Sequence, residues 1–317
     1  MNFSLWIWPY ARWGGIEEIG RVSERVEELG FASVSVSDHT ICTVGPASSG
    51  AGPDWPDWSV VSTYIAMRTT RIRILSCVVI PYRSPITQAK QIATIDQVSG
   101  GRFTLAAAVG WLKPEFEMLG VDHARRGAIT DEYLRAMREL WTAEEPKFEG
   151  EFVKIDDVIF EPKCVQEPQV PIWIAGGNGE APIRRVLELG DGWMPMGGDL
   201  DSELRGDIAG IKDRAEAMGR DPASLTFRYT IGIGRAEAGL DAISKSIDVA
   251  DPTTLSVERG PESVAEAIAQ FEAAGFDELA INFAGNTAAE VTETLEWFGA
   301  EVMPLLDAPS AKLSQPS

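Results

Sequence analysis

The chain has 317 residues, 44% of them hydrophobic, with 28 basic residues against 48 acidic ones and a formal net charge of −20. That length suits one large α/β barrel or two medium domains, and the charge argues against a nucleic-acid partner, which needs a basic face. Cys42, Cys77 and Cys164 form no CxxC, so no disulfide framework or zinc ribbon follows. Met1–Trp8 carries no basic leader and no apolar run approaches a membrane span, which makes a reducing cytoplasm the expected setting.

Apolar strands alternate with amphipathic helices along the whole chain. FSLWIW (3–8) reads as a strand, and Ile16–Leu29 as a helix with Ile16, Ile19, Val22, Val26 and Leu29 on one face, stopped by Gly30. Phe31–Ser37 is the second strand, Val alternating with Ser, and it ends abruptly in Asp38-His39. The Gly/Pro/Ser/Trp loop 39–58 is too long for a plain connector; such loops usually act as lids or binding loops. Its Pro53, Trp55, Pro56 and Trp58 pack either over a ligand or onto a rim.

A helix over 59–70 precedes strand three, Arg71–Ile80, which Pro81 ends. Pro85 opens the next helix at its first turn, where a missing N–H costs little, and that helix runs to Val98. Ser99-Gly100-Gly101 turns into strand four, Phe103–Val109, followed by a loop, 110–120, with one helical turn. After helix 128–142, the stretch 147–170 is an insertion with hairpin-like alternation in FEGEFVKIDDVIF. Strand five is 172–177 and strand six 191–198, with a helix over 180–189 between them. Helix 201–218 leads to strand seven, 225–234, then an irregular stretch, 235–260, and a helix over 261–274. Asp277–Ala284 is strand eight, helix 287–306 closes the pattern, and 309–317 is a frayed tail.

Eight strands, each followed by a helix, in a chain of this size predict a (β/α)8 TIM barrel spanning 1–308, with insertions after strands four and seven. A doubly wound sheet is disfavoured because WPYARWGG after strand one contains no GxGxxG. In such a barrel all strand carboxyl ends meet at one mouth. His39, one of two histidines in the chain, belongs there with Asp38 beside it. Histidine is the side chain best suited to proton transfer near neutrality. Asp38 either orients it or caps the loop after strand two. AGGNGE at the end of strand five can offer backbone N–H groups to an anion, or can simply make a tight strand-to-helix turn. Arg184 and Arg185, further along that helix, are expected on its solvent face. No HExxH, HxH or carboxylate cluster at metal spacing occurs, so no metal site is expected; no GxSxG occurs either. A mouth so apolar suits a large planar cofactor with a phosphate at one end, His39 being the single acid or base.

RIRILSCVVIPYRSPITQAKQIATIDQVSGGRFTLAAAVGWLKPEFEMLG (71–120) and PIWIAGGNGEAPIRRVLELGDGWMP (171–195) resemble the luciferase-like flavin and deazaflavin oxidoreductases. The likeness extends over most of 1–305 and implies a (β/α)8 barrel. It matches Asp38 and His39 to the family's strand-two pair, in the SDH form that looks like the coenzyme F420 branch. It implies a non-proline cis peptide at Cys77–Val78 that backs the cofactor's middle ring. It also matches Gly110 to a cofactor contact, Gly176, Gly177 and Asn178 to the phosphate loop, and Trp193 and Met194 to the cover of the ring system. Trp111 stands where the family's sugar-phosphate dehydrogenases place a catalytic glutamate, and Val44 near their active-site tryptophan, which turns the expectation toward an apolar substrate.

The expected activity is therefore hydride transfer between coenzyme F420 and a small, rather apolar organic molecule. His39 carries the proton and Asp38 orients it. The alternatives are an FMN-dependent monooxygenase on the same barrel and a non-catalytic barrel that only binds ligand. The resemblance also implies a homodimer.

Overall fold

The computed structural model describes residues 1–43, 54–235, 254–285 and 287–307. Val44, much of the loop 39–58, most of the stretch 235–260 and the tail 309–317 lie outside the described residues. Eight parallel strands form the barrel: β1 (Asn2–Trp6), β2 (Ser33–Ser37), β3 (Arg73–Val79), β4 (Phe103–Ala108), β5 (Ile172–Gly176), β6 (Gly192–Pro195), β7 (Thr226–Gly234) and β8 (Glu278–Phe283). Each pairs with the next in chain order, β8 pairs with β1, and the sheet is closed. The expected (β/α)8 barrel is the architecture found.

Alternation along the strands builds two distinct cores. Outward residues such as Val34, Val36, Ile74, Val78, Ile174 and Trp193 join the large apolar layer under the helices. There Phe3, Phe31 and Phe283 all lie within 6 Å of the Phe298 ring, an arrangement in which aromatic edges meet faces. Inward residues are smaller and more polar. Arg228 is fully enclosed and donates to Glu278 (3.0 Å) and to the Ser35 hydroxyl (2.8 Å). Ser33 donates to the same Glu278 oxygen (3.0 Å). The charge inside the barrel is paired and hydrogen-bonded, as a buried charge has to be. Above that layer Leu75, Ala106, Trp173, Ala175 and Met194 form a small apolar plug.

Three helices position the mouth: α1 (Ile16–Glu28), α2 (Trp58–Arg68) and α3 (Pro85–Ser99). The Asp57 side chain caps α2 by accepting from the N–H groups of Ser59 and Val60. The expected hairpin in the insertion after β4 is a short antiparallel pair, Phe148–Glu149 with Lys154–Ile155. Within 235–260 the sequence suggested no element, yet Thr254–Ser256 extends the sheet beside β7. Arg185 is not on a solvent face: it is buried and pairs with Asp131, which Arg184 also meets. An acid on the neighbouring helix (Arg126–Thr142) draws Arg185 inward, while Arg184 stays part-exposed between Asp131 and Glu188.

Candidate active site

The site begins where β2 stops. Tyr10, in the turn after β1, accepts from the Ser37 N–H (2.9 Å) and donates to the Ser37 carbonyl (3.1 Å), which ends the ladder there. Trp6 donates its indole N–H to the Ser37 hydroxyl (2.9 Å). Asp38 and His39 therefore leave the strand at a fixed point, and they diverge.

Asp38 turns inward. Arg83, in the turn after β3, forks onto both of its oxygens at 2.7 and 2.8 Å, and the Val79 N–H donates at 3.1 Å. Burial pushes the Asp38 carboxyl pKa up, and the Arg83 fork and the Val79 N–H pull against that. Arg83 also donates to the Thr40 hydroxyl (3.0 Å). Asp38 thus ties β2 to β3 and does not touch His39 as a hydrogen-bond partner. The expectation that Asp38 orients His39 is corrected: its carboxylate is turned to Arg83 and Val79, and the imidazole bonds another acid.

The partner of His39 is Glu115, in the short helix Lys113–Met118 after β4. Its Oε2 lies 2.7 Å from Nδ1 of His39 and accepts from the Tyr82 hydroxyl at 2.7 Å. Its Oε1 accepts from the N–H groups of Thr40 (2.6 Å) and Ile41 (3.1 Å). Burial alone would raise the Glu115 pKa, but the bonds from His39, Tyr82 and Ile41 outweigh it and hold the carboxyl below its ordinary value. Since a carboxylate only accepts, Nδ1 carries a proton, and the exchangeable position is Nε2. Nε2 has no hydrogen-bond partner among the described residues.

Aromatic rings surround that imidazole. Trp55 meets it at 4.6 Å between centroids and Trp111 at 6.1 Å, both near perpendicular. Inside the barrel mouth lies a small pocket of about 60 Å3, lined among others by Trp6, Ser37, Cys77, Met194 and Arg228. Burial pushes the Cys77 thiol up to about 12, so it is an inert thiol at neutral pH.

The remaining expected residues divide by the face they present. Met194 faces the pocket, and its sulfur accepts from Arg228 at 2.8 Å. Trp193, its neighbour, is fully buried in the outer core and cannot cover a ring at the mouth. Cys77 lines the pocket while Val78 is buried in the outer layer. The three cis peptides among the described residues all precede proline (Trp8-Pro9, Glu161-Pro162, Glu167-Pro168). Cys77–Val78 is not one of them, and β3 keeps a regular register with β4 through it, so the expected bulge is absent. Gly110 has φ +78, and a Cβ there would come within 2.6 Å of Val79 and 2.8 Å of Phe116; it packs the turn after β4. Gly177 and Asn178 are exposed at the rim, before the helix Glu180–Leu189, whose Gly179 cap supplies no side chain. A Cβ on Gly177 would meet nothing within 4 Å. That turn could receive an anionic tail.

Glu115, Tyr82 and Arg83 were not singled out from the sequence. Glu115 lies within the EFE of the resemblance segment, and its position in the first turn of a helix directly behind a strand end was the available signal.

Comparisons with known proteins agree with the barrel fold. A family model described as luciferase-like monooxygenase matches residues 5–236. An uncharacterised protein of Mycobacterium tuberculosis, Rv0953c, is 33% identical over 207 residues, covering 62% of this chain and 72% of its own. An FMNH(2)-dependent dimethylsulfone monooxygenase of Pseudomonas putida is 27% identical over 213 residues, covering 66% of this chain and 58% of its own. Among solved structures, an F420-dependent secondary alcohol dehydrogenase bound to an F420-acetone adduct superposes with a TM-score of 0.79 at 19% identity, covering 96% of this chain and 98% of that one. With a family match across well over half its length and a barrel to go with it, the chain belongs to the luciferase-like monooxygenase family of flavin- and deazaflavin-using oxidoreductases.

Proposed function

We propose that this protein transfers a hydride between coenzyme F420 and a small, uncharged organic substrate, with His39 handling the accompanying proton. The observation that carries this reading is the His39–Glu115 pair at the strand ends: an imidazole fixed in one tautomer, its Nε2 without a partner among the described residues. A deazaflavin, when bound, supplies or takes up the hydride. His39 gives or receives the proton at Nε2 as general acid or base. Glu115, held by four donors, orients the ring. Asp38 and Arg83 fix the start of the loop that carries His39. Trp55 and Trp111 keep water from the imidazole. Cys77, Met194 and the turn at Gly110 flank the ring site, and Gly176, Gly177 and Asn178 take the phosphate end.

Turnover in the strict absence of oxygen, with reduced F420 and a panel of small neutral ketones and enones, tests this reading. Oxidation of F420 matched by product supports it; no turnover without oxygen argues against it. The second reading, a monooxygenase fed with reduced FMN, is favoured by the likeness to the Pseudomonas putida enzyme. It predicts oxygen uptake dependent on reduced FMN.

In this reading the protein is a cytoplasmic homodimer. Support for pairing comes from the outward faces of α2 and α3, where Val60, Met67, Ile86 and Val98 stand exposed. Neither helix exposes an acid, in a chain of net charge −20. Sedimentation velocity distinguishes a dimer from a monomer. Among the described residues no helix is long and apolar enough to cross a membrane.

A further inference from the structure

We infer that the substrate side of the mouth is a slot for a planar, conjugated and uncharged compound, and that Trp111 sets this preference; the inference rests on the reading of His39 as proton carrier. Trp111 follows β4 and is 52% exposed, so its indole spends much of its surface on solvent. It meets the His39 ring at 83°, and Trp55 meets the same ring at 65°. Trp55 also meets Tyr10 at 5.5 Å, but an edge-to-face contact occupies only one edge or face of a ring, which leaves π-surface on the exposed Trp111 for a further aromatic partner. A substrate atom that exchanges a proton with Nε2 of His39 must come to rest beside these indoles.

The charges nearby are already committed. Glu115 accepts from four donors, and Asp38 is forked by Arg83. Deeper in the pocket, Arg228 is paired with Glu278. A carboxylate or ammonium entering the slot would lose hydration, the acids there being engaged and the nearby Arg126 guanidinium already donating to the carbonyls of Gly110 and His123. A neutral conjugated ring loses little hydration and gains contact with the indoles. The slot therefore selects aryl or conjugated carbonyl compounds over saturated or charged ones of the same size.

Calorimetric titration with three probes tests this: 2-acetylnaphthalene, its ring-saturated decahydro analogue, and naphthalene-2-carboxylate. Wild type should bind the planar ketone about fivefold or more tightly than either of the others, the range that an aromatic contact provides. Trp111→Ala, at an exposed position where folding is checked by circular dichroism, should abolish that preference, and Trp111→Phe should keep most of it. Equal affinity for planar and saturated ketones, binding of none of the three, or an undiminished preference in Trp111→Ala would overturn the inference. The titrations are run on the protein alone and with F420 added. An intact aromatic preference with no F420 binding defeats the cofactor reading and leaves the slot standing. Tight F420 binding with no preference does the reverse.

Discussion

Nδ1 of His39 lies 2.7 Å from Oε2 of Glu115, a residue 76 positions further along the chain and wholly buried. The contact joins the end of β2 to the helix after β4, and it leaves Nε2 without a hydrogen-bond partner among the described residues. Proton transfer, water exclusion and substrate choice in the proposed site all depend on it.

Replacing His39 with Ala should lower kcat by about 10²–10⁴-fold, the usual contribution of a positioned general acid or base, with little change in cofactor affinity. Steady-state kinetics and cofactor titration on the same preparation check this. A parallel loss of cofactor binding would make the residue a binding group instead.

Glu115→Gln should leave the fold intact and weaken turnover, with Tyr82→Phe doing so less. The distinguishing readout is the downfield proton resonance of His39 Nδ1–H, strong in wild type and Tyr82→Phe and lost or moved upfield in Glu115→Gln. A merely structural role for Glu115 would leave that resonance in place.

The same carboxylate sets a pH dependence. Burial works to raise the Glu115 pKa, but its hydrogen bonds hold the folded-state value below the ordinary one. Its stabilising contribution is therefore complete above the unfolded-state value of about 4.3 and is lost as pH falls through the depressed folded value. Near-ultraviolet circular dichroism of the tryptophans around His39 should accordingly hold steady down to about pH 4 and change below it. A change already complete at pH 5 would contradict this sign.

Arg83→Leu strands the buried Asp38 charge and should destabilise the protein by about 3–5 kcal/mol in urea unfolding. Adding Asp38→Asn should restore part of that loss, because the uncompensated charge is gone. Gly110→Ala meets two obstacles, a φ of +78 and Cβ contacts of 2.6 and 2.8 Å; a loss of about 2–4 kcal/mol is expected.

Much of the barrel was legible because each strand is an apolar run closed by Gly, Pro or a polar pair, and strands buried on both faces read that way. His39 was legible as a rare ionisable residue at a strand end. Its partner was not, since a contact across 76 residues leaves no local pattern. Parity along a strand was the neglected signal. Neighbours on a strand face opposite sides, so Trp193 and Met194 could not both cover one ring, nor could Cys77 and Val78 both present side chains to it. Arg185 was misplaced for another reason: the acid that draws it inward, Asp131, belongs to a different helix.

The central claim is that the barrel mouth binds a deazaflavin ring and that His39 serves that ring's hydride chemistry. Anaerobic titration with F420 and, separately, with FMN, followed by visible absorbance, tests it most directly. Saturable binding of F420 well tighter than FMN, retained in His39→Ala, is the predicted result. Saturable binding of FMN with no response to F420 would contradict it.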